Sequence, residues 1–141
     1  MEKVLIDTDV LLDFFFDRKP FSDYAAQVLD LCKEKEIKGY VTPVIVANTY
    51  YLLSKTAKHE FVIDKLNQLL NIIDVTIMNR NVVIKPLNSD FKDFEDALQN
   101  YAAVEANDIK VILTRNIKDF RFSELAILTP ESYLKGKKAN G

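Results

Sequence analysis

Val4, Leu5 and Ile6 run directly into Asp7, Thr8 and Asp9 near the start of the chain. A short unbroken apolar run reads as a strand buried on both faces, so Lys3 to Asp7 is predicted as the first strand. From Phe21 to Glu36 the period lengthens. Phe21, Tyr24, Ala25, Val28, Leu31 and Cys32 form one helical stripe, with Ser22 as its expected cap and Cys32 as core filler. Gly39 to Thr42 reads as a short strand leading into the helix PVIVANTYYLLSKTA, capped by Thr42 and opened by Pro43. Val62, Leu66, Leu69 and Ile73 share a face of a further helix over 59–73, which His59 begins at the surface. Asp74 to Met78 is strand-like, and 79–88 carries no clear period.

Residues 93–106, DFEDALQNYAAVEA, are strongly helical, with Asp93 as the expected cap. Val111 to Thr114 and Ala126 to Leu128 read as two more strands, and Pro130 to Lys135 as a closing helix. Strands alternating with helices predict an α/β fold, a three-layer sandwich around a mostly parallel sheet. One domain over 1–135 is expected, followed by a flexible basic tail over 136–141.

Composition narrows the class. The chain has 141 residues, 48% of them hydrophobic and 28% charged, which suits a globular domain and argues against disorder. With 3 Gly and 4 Pro there is no linker or low-complexity tract. No segment has the pattern of a signal peptide or a membrane span. The single cysteine forms no internal disulfide, so the cytoplasm is the expected compartment. The net charge of −2 argues against a broad basic nucleic-acid surface, although bound cations can meet phosphate locally.

In parallel α/β sheets, ligands bind beyond the carboxyl ends of the strands. Oxygen-bearing side chains collect on that predicted edge. Asp7 and Asp9 follow the first strand, Thr42 ends the second with Asn48 two turns further on, and Thr114 precedes Asn116 and Asp119. Asp96 lies on the first turn of the 93–106 helix and is free to face a cleft. Glu95 is expected to point elsewhere, into solvent. Carboxylates gathered in one place need compensation, and oxygen donors without a Cys or His cluster suit a hard cation such as Mg²⁺ or Mn²⁺. Such ions activate water and clamp a phosphodiester, so no histidine base is required. Singly, each acid also has a structural reading: Asp7 or Asp9 as a helix cap, Asp96 at a helix start, Asp119 in a turn.

Three segments in order, VLIDTDVLLDFFFDR, DFEDALQNYAAVEA and ILTRNIKDF, resemble the PIN-domain family of metal-dependent ribonucleases, most of all the toxin half of VapBC-type toxin–antitoxin pairs. The resemblance implies an RNA-hydrolysing enzyme, usually a homodimer silenced by a small antitoxin protein. It matches Asp7, Asp96 and Asp119 to the family's catalytic and metal-binding acids, with Asn116 beside Asp119. Asn48 stands where the family usually carries glutamate, and Asn116 where it often carries aspartate. Asp9, in place of the family's usual asparagine, is expected to return part of that charge. Arg115, Lys118 and Arg121 surround the same turn and are candidate contacts to RNA phosphates.

Two rivals remain open. The stretch DTDV fits the nucleophile motif of haloacid-dehalogenase-type phosphatases, although no acidic pair follows Lys118 to complete that site. A PIN fold that binds without cleaving is the other, and Asn48 and Asn116 favour it.

Overall fold

A computed structural model of the chain describes residues 1–140. Five strands form its centre: β1 (Glu2–Ile6), β2 (Ile37–Val41), β3 (Asp74–Val75), β4 (Ile109–Leu113) and β5 (Ala126–Leu128). Seven helices flank them: α1 (Thr8–Phe15), α2 (Phe21–Lys33), α3 (Pro43–Leu53), α4 (His59–Leu70), α5 (Arg80–Leu87), α6 (Phe94–Glu105) and α7 (Pro130–Asn140). All strand pairs are parallel, in the order β3-β2-β1-β4-β5. This is the expected α/β three-layer sandwich. Val4, Leu5, Ile6, Ile112 and Leu113 are fully buried, because helices cover both faces of the inner strands β1 and β4.

The chain leaves β1 toward β2 on one side, and β4 returns to pair with β1 on the other. The order in which strands are added therefore reverses between β1 and β4, although both strands run the same way. That reversal opens a crevice at the strands' carboxyl ends. The register fixes what meets there: Ile6 pairs with Leu113, so Asp7 and Thr114 emerge side by side.

Local chemistry accounts for the helix starts. Thr42 accepts from the Ile45 N–H at 3.0 Å, and Asp93 accepts from the Asp96 N–H at 3.0 Å, both as expected of caps. Asp7 caps α1 through the Thr8 N–H at 2.8 Å, so the helix begins before Asp9, which lies in its first turn rather than at its cap. Ser22 does not cap α2; its hydroxyl is buried and donates to Asp17.

Other boundaries also differ from expectation. Residues 80–87 form α5, capped by Asn79. The third strand pairs over only two residues, after which the Thr76 N–H bonds to Val41 and the chain turns away. The closing helix runs on to Asn140, so 136–140 is helical where a flexible tail was expected, and Gly141 lies outside the described residues.

Gly39 shows how closely α2 lies on the sheet. A Cβ there would meet Cys32 Sγ at 2.7 Å and Ile73 Cγ2 at 2.9 Å. The cysteine is buried in the core, as expected, and burial pushes its thiol up to about 11. Gly39→Ala should therefore overpack this contact and cost about 1–3 kcal/mol. Urea unfolding should show a lower midpoint at unchanged slope; an unchanged midpoint would mean that the neighbours yield freely.

Candidate active site

Asp7, the last residue before α1, is only 7% exposed. Its side chain accepts twice, from the Thr8 N–H at 2.8 Å and from the Thr114 hydroxyl at 2.9 Å. Thr114 Oγ1 in turn accepts from the Asn116 N–H at 3.1 Å. Asp9 accepts from the Arg115 N–H at 2.9 Å, with Thr114 Oγ1 a further 3.3 Å away. The end of β4 thus holds both carboxylates that follow β1.

A cavity of about 350 Å³ opens over this junction. Asp7, Asp9, Asn48, Asp96 and Asn116 line it, joined by Arg18, Tyr51, Glu95 and Gln99. Gln99 is buried and accepts from the Thr42 hydroxyl, which ties α6 to the end of β2. Asp119 sits exposed on a short 3₁₀ turn (Ile117–Phe120) and does not line the cavity, although its charge reaches Asp96. A larger cavity of about 630 Å³ lies between α1, α2 and α4, lined by Phe14, Phe15, Leu29 and Leu69 among others. It gathers no carboxylate cluster, so the chemistry points to the smaller one.

The electrostatics record the crowding. Burial pushes the Asp7 carboxyl up to about 7, the neighbouring Asp9 charge adds to the rise, and the bonds from Thr8 and Thr114 oppose it. Asp96 is also pushed up to about 7, by burial first and then by the charges of Asp93, Asp7, Asp119 and Glu95. Burial raises Asp9 too, against the opposing Arg115 N–H and guanidinium. Among the described residues, no three His, Cys, Asp or Glu side chains are drawn together tightly enough to enclose an ion in this arrangement. The donors around the cavity are nevertheless all oxygens, and their shared destabilisation is the kind that a hard cation relieves.

Two expectations are corrected here, and one cavity residue was not anticipated. Arg115 is not free for phosphate. Its guanidinium binds Asp13 through two bonds, at 2.6 and 2.9 Å, and lies 4.0 Å from the centre of the Phe21 ring. Asp13 is a buried charge in the middle of α1, and a buried carboxylate must be paired. Its place inside LLDFFF was the available signal, since a lone charge within an apolar run needs a partner. Glu95 is the second correction: it is exposed as expected, but its carboxylate lines the cavity, turns toward α3 and accepts from Asn48 Nδ2 at 3.0 Å. The unanticipated residue is Arg18, the cation that lines the cavity, 3.6 Å from Asp13 and over the Phe16 ring. Lys118 and Arg121 are exposed on the 3₁₀ turn and just after it.

Comparison with known proteins agrees with this architecture. The PIN domain family model matches residues 3–118, and the chain belongs to that family. Ribonuclease VapC1 of Aquifex aeolicus (strain VF5) is 28% identical over 137 residues, which cover 94% of this chain and 93% of that protein. Among solved structures, VapBC2 from Rickettsia felis, bound to a DNA fragment from its promoter, matches with a TM-score of 0.68 at 18% identity, over 89% of this chain and 96% of that one. Mycobacterium tuberculosis VapC20, a toxin that cleaves the sarcin-ricin loop, matches with a TM-score of 0.66 at 14% identity, over 87% and 96%.

Two outcomes follow from the geometry. Arg115→Ala leaves Asp13 buried without its guanidinium, so it should cost about 3 kcal/mol or more in stability; a denaturation midpoint equal to wild type would make the pair dispensable. The raised carboxyls of Asp7 and Asp96 stabilise the fold while they are protonated. That contribution is complete below the ordinary Asp range and is lost as pH rises through about 7. Without divalent ions, the thermal midpoint should fall by several degrees between about pH 5 and pH 8. Asp7→Asn should flatten the fall, and an unchanged slope in that variant would remove Asp7 as its source.

Proposed function

We propose that this PIN-domain protein is a ribonuclease that hydrolyses RNA phosphodiester bonds with Mg²⁺ or Mn²⁺, and that it acts as the toxin of a toxin–antitoxin pair. One observation carries the reading: a cavity at the point where the strand order reverses, lined by Asp7, Asp9, Asp96 and Asn116 from three separate segments. The 28% identity to Ribonuclease VapC1, spread over almost the whole chain, supports it independently.

Asp7 and Asp96 would hold the ion from the cavity, with Asn116 as a neutral oxygen donor, Asp9 as a neighbouring charge and Asp119 approaching from the adjacent 3₁₀ turn, where its charge already reaches Asp96. When bound, the ion supplies Lewis-acid chemistry, neutralising phosphate charge and making water a competent nucleophile at neutral pH. The protein's own part is positioning. Thr114 and the Thr8 N–H hold Asp7 in place before any ligand arrives, so little reorganisation is needed at the moment of reaction. Arg18 offers a guanidinium to a phosphate at the cavity wall, with Lys118 and Arg121 beyond the 3₁₀ turn as outer contacts. Tyr51, 63% exposed at the cavity, presents a face on which an unpaired base can stack. His59 takes no part; it lies on α4, bonded to the Tyr50 hydroxyl at 2.8 Å.

The same reading brings a small antitoxin protein as partner, a homodimeric state and the cytoplasm as compartment. The toxin–antitoxin complexes among the similar structures support the antitoxin partner, and among the described residues no helix is long and apolar enough to cross a membrane. The neutral residues Asn48 and Asn116 favour a second reading, a PIN fold that binds RNA without cutting it.

Mn²⁺ titration by calorimetry, paired with RNA cleavage on the same samples, separates the two. Wild type should bind Mn²⁺ and cleave, and chelation should abolish cleavage. Asp7→Asn should lower both by more than the roughly 100-fold that loss of an outer partner costs. Metal binding without cleavage of any RNA offered would favour the binding module, and no binding at millimolar Mn²⁺ would remove the nuclease reading.

A further inference from the structure

The α3 wall of the cavity carries no charge of its own. Its side chains are Asn48, Tyr51 and Leu52, while the opposite wall presents Asp7 and Asp9. Across the gap, α6 offers two successive acids on its first turn, Glu95 and Asp96. Neighbouring residues on a helix point about 100° apart, and these two divide the cavity between them. Asp96 is half-buried, and its carboxyl feels the charge of Asp7. Glu95 turns the other way and reaches Asn48, whose Nδ2 donates to Oε1 at 3.0 Å.

An exposed glutamate in the first turn of a helix ordinarily extends into water, where the N-terminal dipole already favours it. The amide of Asn48 instead fixes one of its oxygens at the α3 wall. The second oxygen, and the carbonyl oxygen of Asn48, take no part in that bond. We propose that Glu95 is a fourth carboxylate of the cation site, and that Asn48 is the positioning residue that sets it against the α3 wall. Negative charge on this side of the site is then delivered from α6 across the helix interface, not from α3 itself. This rests on the proposed metal-dependent reading of the cavity. It explains how a site with neutral residues at 48 and 116 retains enough charge for a divalent ion, since affinity follows the number of charged oxygen ligands.

The test is Mn²⁺ affinity by calorimetry on the intact protein, with a thermal melt on each variant to verify folding. Glu95→Gln keeps the shape and the Asn48 bond but removes the charge, so it should weaken Mn²⁺ at least tenfold. Moving the charge to α3 in the double variant Asn48→Glu, Glu95→Gln should recover most of that loss. Asn48→Asp with Glu95→Gln serves as the second swap if the larger side chain disturbs the fold. Glu95→Gln within twofold of wild type would overturn the proposal and leave Glu95 as a surface tie between α3 and α6. A tenfold loss that neither swap recovers would overturn it as well. Asp7→Asn is the control: if it loses Mn²⁺ while Glu95→Gln keeps it, the nuclease reading stands and only this inference falls. If wild type itself binds no Mn²⁺, both fall together.

Discussion

A carboxylate cannot be buried without something to answer its charge, and the site depends on how this chain answers Asp7. The parallel pairing of β1 and β4 delivers Thr114 alongside Asp7, and the first turn of α1 delivers the Thr8 N–H. Two donors are too few to offset the loss of water for a group only 7% exposed with Asp9 beside it, and the carboxyl rises to about 7. The junction therefore holds its acids in place while leaving them short of positive charge. That deficit is what makes the crevice suited to a cation.

A second buried acid, Asp13, is answered differently. Arg115 saturates it with two bonds and stacks on Phe21, which ties α1 and the start of α2 to the segment after β4. The contrast is physical. An acid with a bidentate guanidinium is a completed structural pair, whereas Asp7 and Asp96 have only partial compensation. Two acids six residues apart in one short stretch thus take opposite roles, and Arg115 belongs to the scaffold rather than to the substrate. Arg18, loosely held near Asp13 and facing the cavity, is left with the freedom that a substrate contact needs.

The helices around the crevice are arranged by caps as much as by packing. Thr42 and Asp93 begin α3 and α6, and the bond from Thr42 to Gln99 holds those starts together. This brings Asn48 and Glu95 within hydrogen-bond distance although they are 47 residues apart in the chain. Helix packing of this kind decides which of two neighbouring acids turns inward. Helical periodicity alone suggests that Glu95 points away, because it describes one helix and not the wall that another helix brings to it.

Much of the architecture could be read from the chain itself. Unbroken apolar runs marked β1 and β4, three-to-four periodicity marked α2, α4 and α6, and Thr42, Pro43 and Asp93 marked helix starts, because these signals act between residues close in sequence. The collection of acids at one sheet edge followed from the alternation of strands and helices. Helix ends, the short β3 and α5 were less legible, since their limits depend on contacts such as the Thr76 bond to Val41. The partners of Asp13, Asn48 and Arg115 were not legible at all. A charge's partner is chosen by distance in space, and pairs separated by 47 or 102 residues are set only when the sheet and its helices close around them.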